Sequence, residues 1–313
     1  MSHRKNESLP KNRVLRRTLY RLLLAAPVLP LMACPGSSED CVSGPDTLTA
    51  EGIQRNPDGS LSCANCPEHP HGARLTTCGE STSDGGVKVV CTYFTCNNDG
   101  RRPEGLQEPL LGEADSLLGA LHAHVAWLEA ASVPAFLRLA DELSAHGAPE
   151  VLVKAARRSA ADEVRHTRAM QSLARRHGAR MPEVDIHPFQ PRSLEAMLTE
   201  NAIEGCVRET FGALVTAWQA RTAGDAEVRR ALGPISRDEL RHAELAWAID
   251  AWASECLTPS KRDRVLQARR EALRTLEHEV RSQIPPEQLV REAGLPSREQ
   301  ALSLLHGMAV LVA

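Results

Sequence analysis

From about residue 112 to 258, apolar side chains recur three or four positions apart, the spacing that gathers them on one face of an α-helix. Four long segments carry the pattern: about Glu113 to Ala145, Pro149 to His177, Ser193 to Thr222 and Asp225 to Ala253. Gly147 and Gly224 fall in the short breaks, where helix ends favour glycine. A longer link, Ala179 to Pro191, separates the second segment from the third and holds Pro182, Pro188 and Pro191. One long crossover flanked by two short joints predicts a mainly α chain centred on a four-helix bundle whose crossover joins helices 2 and 3, not a simple up-and-down bundle. A charged helical stretch follows, about Ser260 to Gln283, then a Pro285-Pro286 break and a closing segment from Ser297 to Val312. This extension, 259–313, is expected to pack outside the bundle.

The stretch ahead of the helices reads differently. Residues 34–105 are rich in Gly, Pro, Ser, Asp and Asn, and only Val87 to Thr95, β-branched and aromatic, predicts a strand. Beyond Cys34 they hold Cys41, Cys63, Cys66, Cys78, Cys91 and Cys96. A segment this small buries little core alone, so in an exported chain six cysteines point to three disulfides, in any of fifteen pairings. The alternative is a zinc site on Cys63-Ala-Asn-Cys66. A basic joint, Gly100-Arg-Arg-Pro-Glu-Gly105, leads on to the helices.

At the amino terminus a basic stretch ends at Arg21 and an apolar run, Leu22 to Ala33, follows. The run is too short to span a bilayer and is broken by Pro27 and Pro30, which fits the apolar core of an export signal over 1–33. Its end, Leu31-Met32-Ala33-Cys34, resembles a bacterial lipobox. That resemblance implies cleavage before Cys34 and lipidation of its thiol, hence attachment to the cell envelope through a membrane anchor. Pro35 stands where a retaining aspartate would sit, which favours the outer membrane over the inner. The alternative is plain secretion, with Cys34 one more thiol.

Charge sharpens this division. The chain's net charge is −3, but residues 1–33 carry +6 and the remainder −9. An acidic mature protein has no electrostatic reason to bind nucleic acid. Charged residues make up 25% and hydrophobic ones 42%, as in ordinary globular proteins.

The chemistry lies in a phrase that occurs twice. Asp162-Glu163-Val164-Arg165-His166 recurs as Asp238-Glu239-Leu240-Arg241-His242. Glu129 lies 34 residues before Glu163, and Glu204 lies 35 before Glu239. Residues at i and i+3 are about 60° apart round a helix, so each Glu-x-x-His pair shares a face. Four carboxylates and two imidazoles from four helices form the ligand set of a dinuclear site in a bundle core. Unpaired, such groups would be costly to bury, and two divalent cations would balance the four carboxylates. Oxygen-rich ligation with imidazole suits iron or manganese. Asp162 is placed to orient His242, and Asp238 to orient His166. Arg165 and Arg241 either balance those aspartates or face solvent.

The same repeat resembles the signature of the ferritin-like di-iron carboxylate superfamily, which includes ferritins, rubrerythrins, manganese catalases, and di-iron oxygenases and desaturases. The resemblance covers about 112–258. It implies a ferritin-like fold with Glu129, Glu163, His166, Glu204, Glu239 and His242 holding two iron ions, or two manganese ions. With its lipobox and cysteine-rich leader, the whole chain also resembles ferritin-like domain lipoproteins of myxobacteria. Only one CxxC is present, whereas rubrerythrins carry two such pairs.

Two functions fit. One is an oxidoreductase that activates O2 or peroxide and draws on an unidentified electron donor. The other is a non-catalytic metal-binding lipoprotein of the envelope. Several neighbours complete the expectations. Phe136 and Phe211, each seven residues past a candidate Glu, should point into the core just above the site. Pro134 should kink helix 1. Glu209, about 140° round an α-helix from Glu204, should miss the cluster unless helix 3 is out of phase. Cys206 and Cys256 are expected as buried free thiols, and His122 and His124 as histidines without metal. The two tyrosines, Tyr20 and Tyr93, lie outside the bundle, which argues against a tyrosyl radical.

Overall fold

Four helical runs carry the chain from Leu117 to Cys256 in a computed structural model, which describes residues 9, 12–25, 45–50, 52–57, 59, 61–67, 74–83, 86–94, 101–107, 114, 116–189 and 191–312. An amino-terminal helix, α1 (Arg13–Ala25), precedes these runs. Helix α2 (Leu117–Ala145) starts where Ser116 accepts a hydrogen bond from the Gly119 N–H, and it stops at Gly147 in the left-handed conformation. Helix α3 (Glu150–Arg176) folds back along α2. After the crossover, α4 (Leu194–Glu200) passes into a wide π-helical turn (Asn201–Glu209), and α5 (Thr210–Thr222) continues it. Helix α6 (Ala226–Cys256), capped by Asp225, packs along α5 and against α3. Both α2 and α6 continue as helix through an internal proline, Pro134 and Pro234.

The crossover is pinned to the helices it spans. Arg192 pairs with Glu142 on α2, its Nε 2.8 Å and its Nη2 2.6 Å from the two carboxylate oxygens, and also reaches Glu200. Among the described residues the first long helix begins at Leu117, and Ala114 forms a β-bridge with Ala179.

The chain closes with α7 (Pro259–Arg281), a short π turn (Leu289–Ala293) and α8 (Arg298–Val312). Together with α5, helices α7 and α8 form the bed for α1, which falls within the segment expected as an export signal. Leu15, Leu19 and Leu23 lie one turn apart and bury against Phe211, Trp218, Leu304 and Met308. Asn12 N–H and Arg16 Nε both donate to Glu244 Oε1, at 2.9 and 2.6 Å, so the helix is held by charge as well as by apolar contact. Among the described residues no helix is long and apolar enough to cross a membrane.

The cysteine-rich region holds more strand than its sequence suggests. Strands β1 (Pro45–Ala50), β4 (Arg74–Ser83) and β5 (Gly86–Phe94) form an antiparallel sheet in the order β1-β5-β4, and β2 (Gln54–Arg55) pairs with β3 (Leu61–Ser62). Two disulfides, Cys63–Cys78 and Cys66–Cys91, tie the β3 end to the sheet. Cys63 and Cys66 therefore bond to separate partners, which overturns the zinc alternative. Cys34, Cys41 and Cys96 lie outside the described residues.

Candidate metal centre

Helix α3 buries a polar stripe. Asp162, Glu163 and His166 are 3%, 1% and 1% exposed. Helix α6 repeats the stripe with Glu239 and His242 buried and Asp238 beside them. Because α3 lies against α6, the two Glu-x-x-His pairs meet. His166 Nδ1 lies 3.1 Å from Glu239 Oε1, 3.4 Å from Glu163 Oε2 and 3.6 Å from Glu129 Oε2. His242 Nδ1 lies 3.0 Å from Glu163 Oε1 and 3.7 Å from Glu239 Oε1. Each imidazole is thus nearer the glutamate of the opposite helix. Glu129, Glu163, His166 and Glu239 each offer one ligand atom, and these atoms all lie within 4.8 Å of one another.

The outward nitrogens face aspartates, again across helices. His166 Nε2 is 3.3 Å from Asp238, and His242 Nε2 is 3.4 Å from Asp162. Arg165 reaches both aspartates, and Arg241 lies 2.9 Å from Asp162 and 2.7 Å from Asp238. The two arginines are partly exposed, so they balance the aspartates and face solvent at once.

Burial opposes charge on both imidazoles, but the carboxylates around them prevail. His166 and His242 are held well above the ordinary histidine value. Burial and the neighbouring Glu163 charge push Glu129 well above the usual carboxylate range. For Glu163 burial acts upward, but Glu129 and the two histidines together hold it below that range. Burial likewise opposes the ionised form of Glu239, which His242 and His166 favour.

The imidazole nitrogens sit close to these oxygens yet out of line for hydrogen bonds. Glu129 Oε2, Glu163 Oε2, Glu239 Oε1, His166 Nδ1 and His242 Nδ1 are all buried without a hydrogen-bond partner. The large majority of buried side-chain polar atoms have a hydrogen-bond partner in folded proteins. A convergent set of unsatisfied lone-pair donors fits a divalent cation, and its oxygen-rich character fits iron or manganese.

The third helix enters by a different geometry. In a π turn hydrogen bonds run from i to i+5, so residues five apart stack one turn over the other. Glu204 and Glu209 therefore share a face, and the 140° separation that excluded Glu209 does not apply. Glu209 is 3% exposed and both its oxygens lack a hydrogen bond. Burial pushes its pKa up to about 7, against the pull of Arg101 and His242. Neither Glu204, expected in the ligand set, nor Glu209 is one of the four clustered groups, and Glu204 Oε2 is likewise buried without a hydrogen bond. Glu204 lines a cleft of about 590 Å³ with Arg102, Glu104, Arg192 and Glu200, with Arg208 Nε 3.9 Å away.

The surroundings are mostly apolar. The Phe136 ring lies 5.0 Å from the His242 ring, whereas Phe211 belongs to the cluster beneath α1. A cavity of about 30 Å³ reaches Glu129 and is lined by Leu121, Val125, Met170 and Ile235, with His122 along it. Burial lowers His122 to about 4 and His124 to about 3, so both are neutral core side chains. Cys206 is buried, but Cys256 is exposed, contrary to expectation, because it sits on the outward side of the last turn of α6.

Arg101, in a basic joint by sequence, carries no local mark of a role in the site. It is 1% exposed, and its Nε lies 3.5 Å from Glu209 Oε1. Its burial depends on the helices it enters. Comparison with known protein families, curated proteins and solved structures finds no match for this chain.

Proposed function

We propose that the protein is a ferritin-like four-helix bundle with a dinuclear iron or manganese carboxylate centre, and that this centre makes it an oxidoreductase acting on O2 or peroxide. One observation carries the reading: Glu129, Glu163, His166 and Glu239 converge in the interior, joined by His242, with lone pairs unsatisfied. Glu129, Glu163 and His166 serve one half. Glu239 and His242 serve the other, together with a carboxylate of the π turn. The family resemblance implies Glu204 for that role, and burial favours Glu209.

Bound metal would supply Lewis-acid polarisation and redox change. The chain's own residues do the rest. Asp162 and Asp238 hold the Nε2 protons of the histidines, which leaves each Nδ1 lone pair free to ligate. Phe136 and Met170 help keep water away. The cavity that reaches Glu129 is small, about 30 Å³. That same tightness favours the second reading, a non-catalytic iron- or manganese-binding lipoprotein. An oxidoreductase of this type also requires an external electron donor.

The test is to purify the full chain, measure iron and manganese per chain, and mix the reduced protein with O2 or H2O2. Two ions per chain and repeated turnover are expected. Two ions with a single slow oxidation support the binding reading, and fewer than one ion after careful reconstitution overturns both.

We place the protein in the bacterial cell envelope, anchored through lipidated Cys34 and more readily in the outer than the inner membrane. The Leu31-Met32-Ala33-Cys34 motif and the two disulfides, which fit an oxidising compartment, support this. A Cys34→Ser change should shift the protein out of the membrane fraction. Cleavage before Cys34 would also remove α1, so an intact amino terminus on the membrane-bound protein overturns the lipoprotein reading.

A further inference from the structure

Arg101 comes from the joint after the cysteine-rich region, yet its guanidinium has a fitted seat among the helices. Nη2 donates to Asn201 Oδ1 at 2.9 Å, and the Ser132 hydroxyl donates to the Arg101 carbonyl at 3.1 Å. The guanidinium lies 5.5 Å from the Phe136 ring, the ring that in turn contacts His242. A Cβ at position 205 would stand 2.6 Å from Nη2, so Gly205, between the two π-turn glutamates, makes room for the arginine. Arg101 Nε and Nη1 and both Glu209 oxygens lack hydrogen bonds, so the pair is held by charge alone.

Charge gives this pair a consequence. With both imidazoles neutral and ligating, Glu129, Glu163 and Glu239 supply three negative charges. Arg101 cancels Glu209, and Arg165 with Arg241 cancels Asp162 with Asp238. One divalent ion leaves the interior at minus one, and a second takes it to plus one. Uncompensated charge is expensive in a low-dielectric interior. Through Phe136, Arg101 stands on the His242 side of the centre.

We propose that Arg101 is a positioning residue that sets how many ions the centre holds: it withholds Glu209 from the position beside His242, so that one ion binds tightly and the second weakly. This rests on the metal-centre reading above and adds an asymmetry to it.

The test titrates manganese(II) into the metal-free full chain for wild type, Arg101→Gln, Arg101→Lys and Arg101→Gln with Glu209→Gln. Calorimetry reports each affinity, and electron paramagnetic resonance separates an isolated ion from a spin-coupled pair. Wild type should bind its second ion at least about tenfold more weakly than its first. Arg101→Gln should strengthen the second about tenfold and leave the first unchanged, with the coupled signal appearing at lower manganese. Lysine, which keeps the charge, should behave as wild type, and the double variant should lose the gain. Equal affinities in wild type, or a folded Arg101→Gln protein whose second ion is unchanged or weaker, overturn the proposal. Should Arg101→Gln fail to fold, Glu209→Gln decides: it leaves the buried Arg101 charge uncompensated and must therefore weaken the second ion alone, and an unchanged second ion overturns the proposal. No manganese bound by any folded variant overturns the metal-centre reading and this inference together.

Discussion

On α3 and α6 the two halves of the centre agree to within tenths of an ångström: the histidines sit 3.3 and 3.4 Å from their aspartates, and 3.1 and 3.0 Å from the glutamate opposite. On the two remaining helices they part. Helix α2 carries Glu129 on regular α-helix, while the third run carries Glu204 and Glu209 on a π turn with Arg101 lodged against it. The difference follows from what each helix must satisfy. Each imidazole takes its orienting aspartate from the other helix, so a shift of α3 would misplace His242 as well as His166. Glu129 and the π-turn glutamates carry no such cross-obligation, and their backbones are free to differ.

The largest test of the matched part is Glu163→Ala, which removes the carboxylate nearest His242 and close to His166. Metal affinity, read by competition with a chelator, should fall by more than the roughly 10–100-fold typical of losing an outer partner. Wild-type affinity in that variant would break the assignment. Next, Asp162→Asn and Asp238→Asn should each cost about 10–100-fold, and by similar factors, because their contacts match. Unequal losses would show that the asymmetry reaches α3 and α6.

A smaller effect probes the π turn. Glu209→Gln should weaken the second ion by about tenfold, and Glu204→Gln by less. The reverse order, in parallel titrations, would return Glu204 to the place the repeat implies.

The smallest effect is on pH dependence. His166 and His242 are raised by their carboxylates when metal-free, so they favour the folded state fully below the ordinary histidine value of 6.5. That contribution declines as pH rises past it. Metal uptake must displace the same protons, so affinity should rise with pH over the same range. Urea midpoints of the metal-free protein should therefore fall above pH 6.5 while those of the metal-loaded protein stay level, and parallel movement counts against the assignment. On the acid side Asp162 acts the other way. Burial opposes its charge, but His242 and Arg165 hold it below the usual carboxylate range, and its contribution is lost as pH falls.

Much of this was legible in the chain. Helix ends fell within a few residues of those expected, because apolar spacing, Ser116, Asp225 and Gly147 are local signals. The repeated Asp-Glu-x-Arg-His phrase marked α3 and α6 because i,i+3 spacing is itself a statement about one helix face. The sheet was harder. Strand β4 is rich in Thr, Ser and Gly, which alternate weakly, and its pairing with β5 is set by contacts distant in sequence. Residues 1–33 carry the charge and length of an export signal, and the docking of α1 on α5, α7 and α8 has no local mark because it depends on the partner surface.

By itself the sequence determined which residues could ligate, which helices carried them and in what order, since these follow from local periodicity and spacing. Only the tertiary structure decided that Glu209 lies deeper than Glu204, that each histidine is served from the opposite helix, and that Arg101 is drawn from a polar joint into the interior. Those outcomes depend on a change of helical pitch and on distances between separate elements. No run of neighbouring residues encodes either.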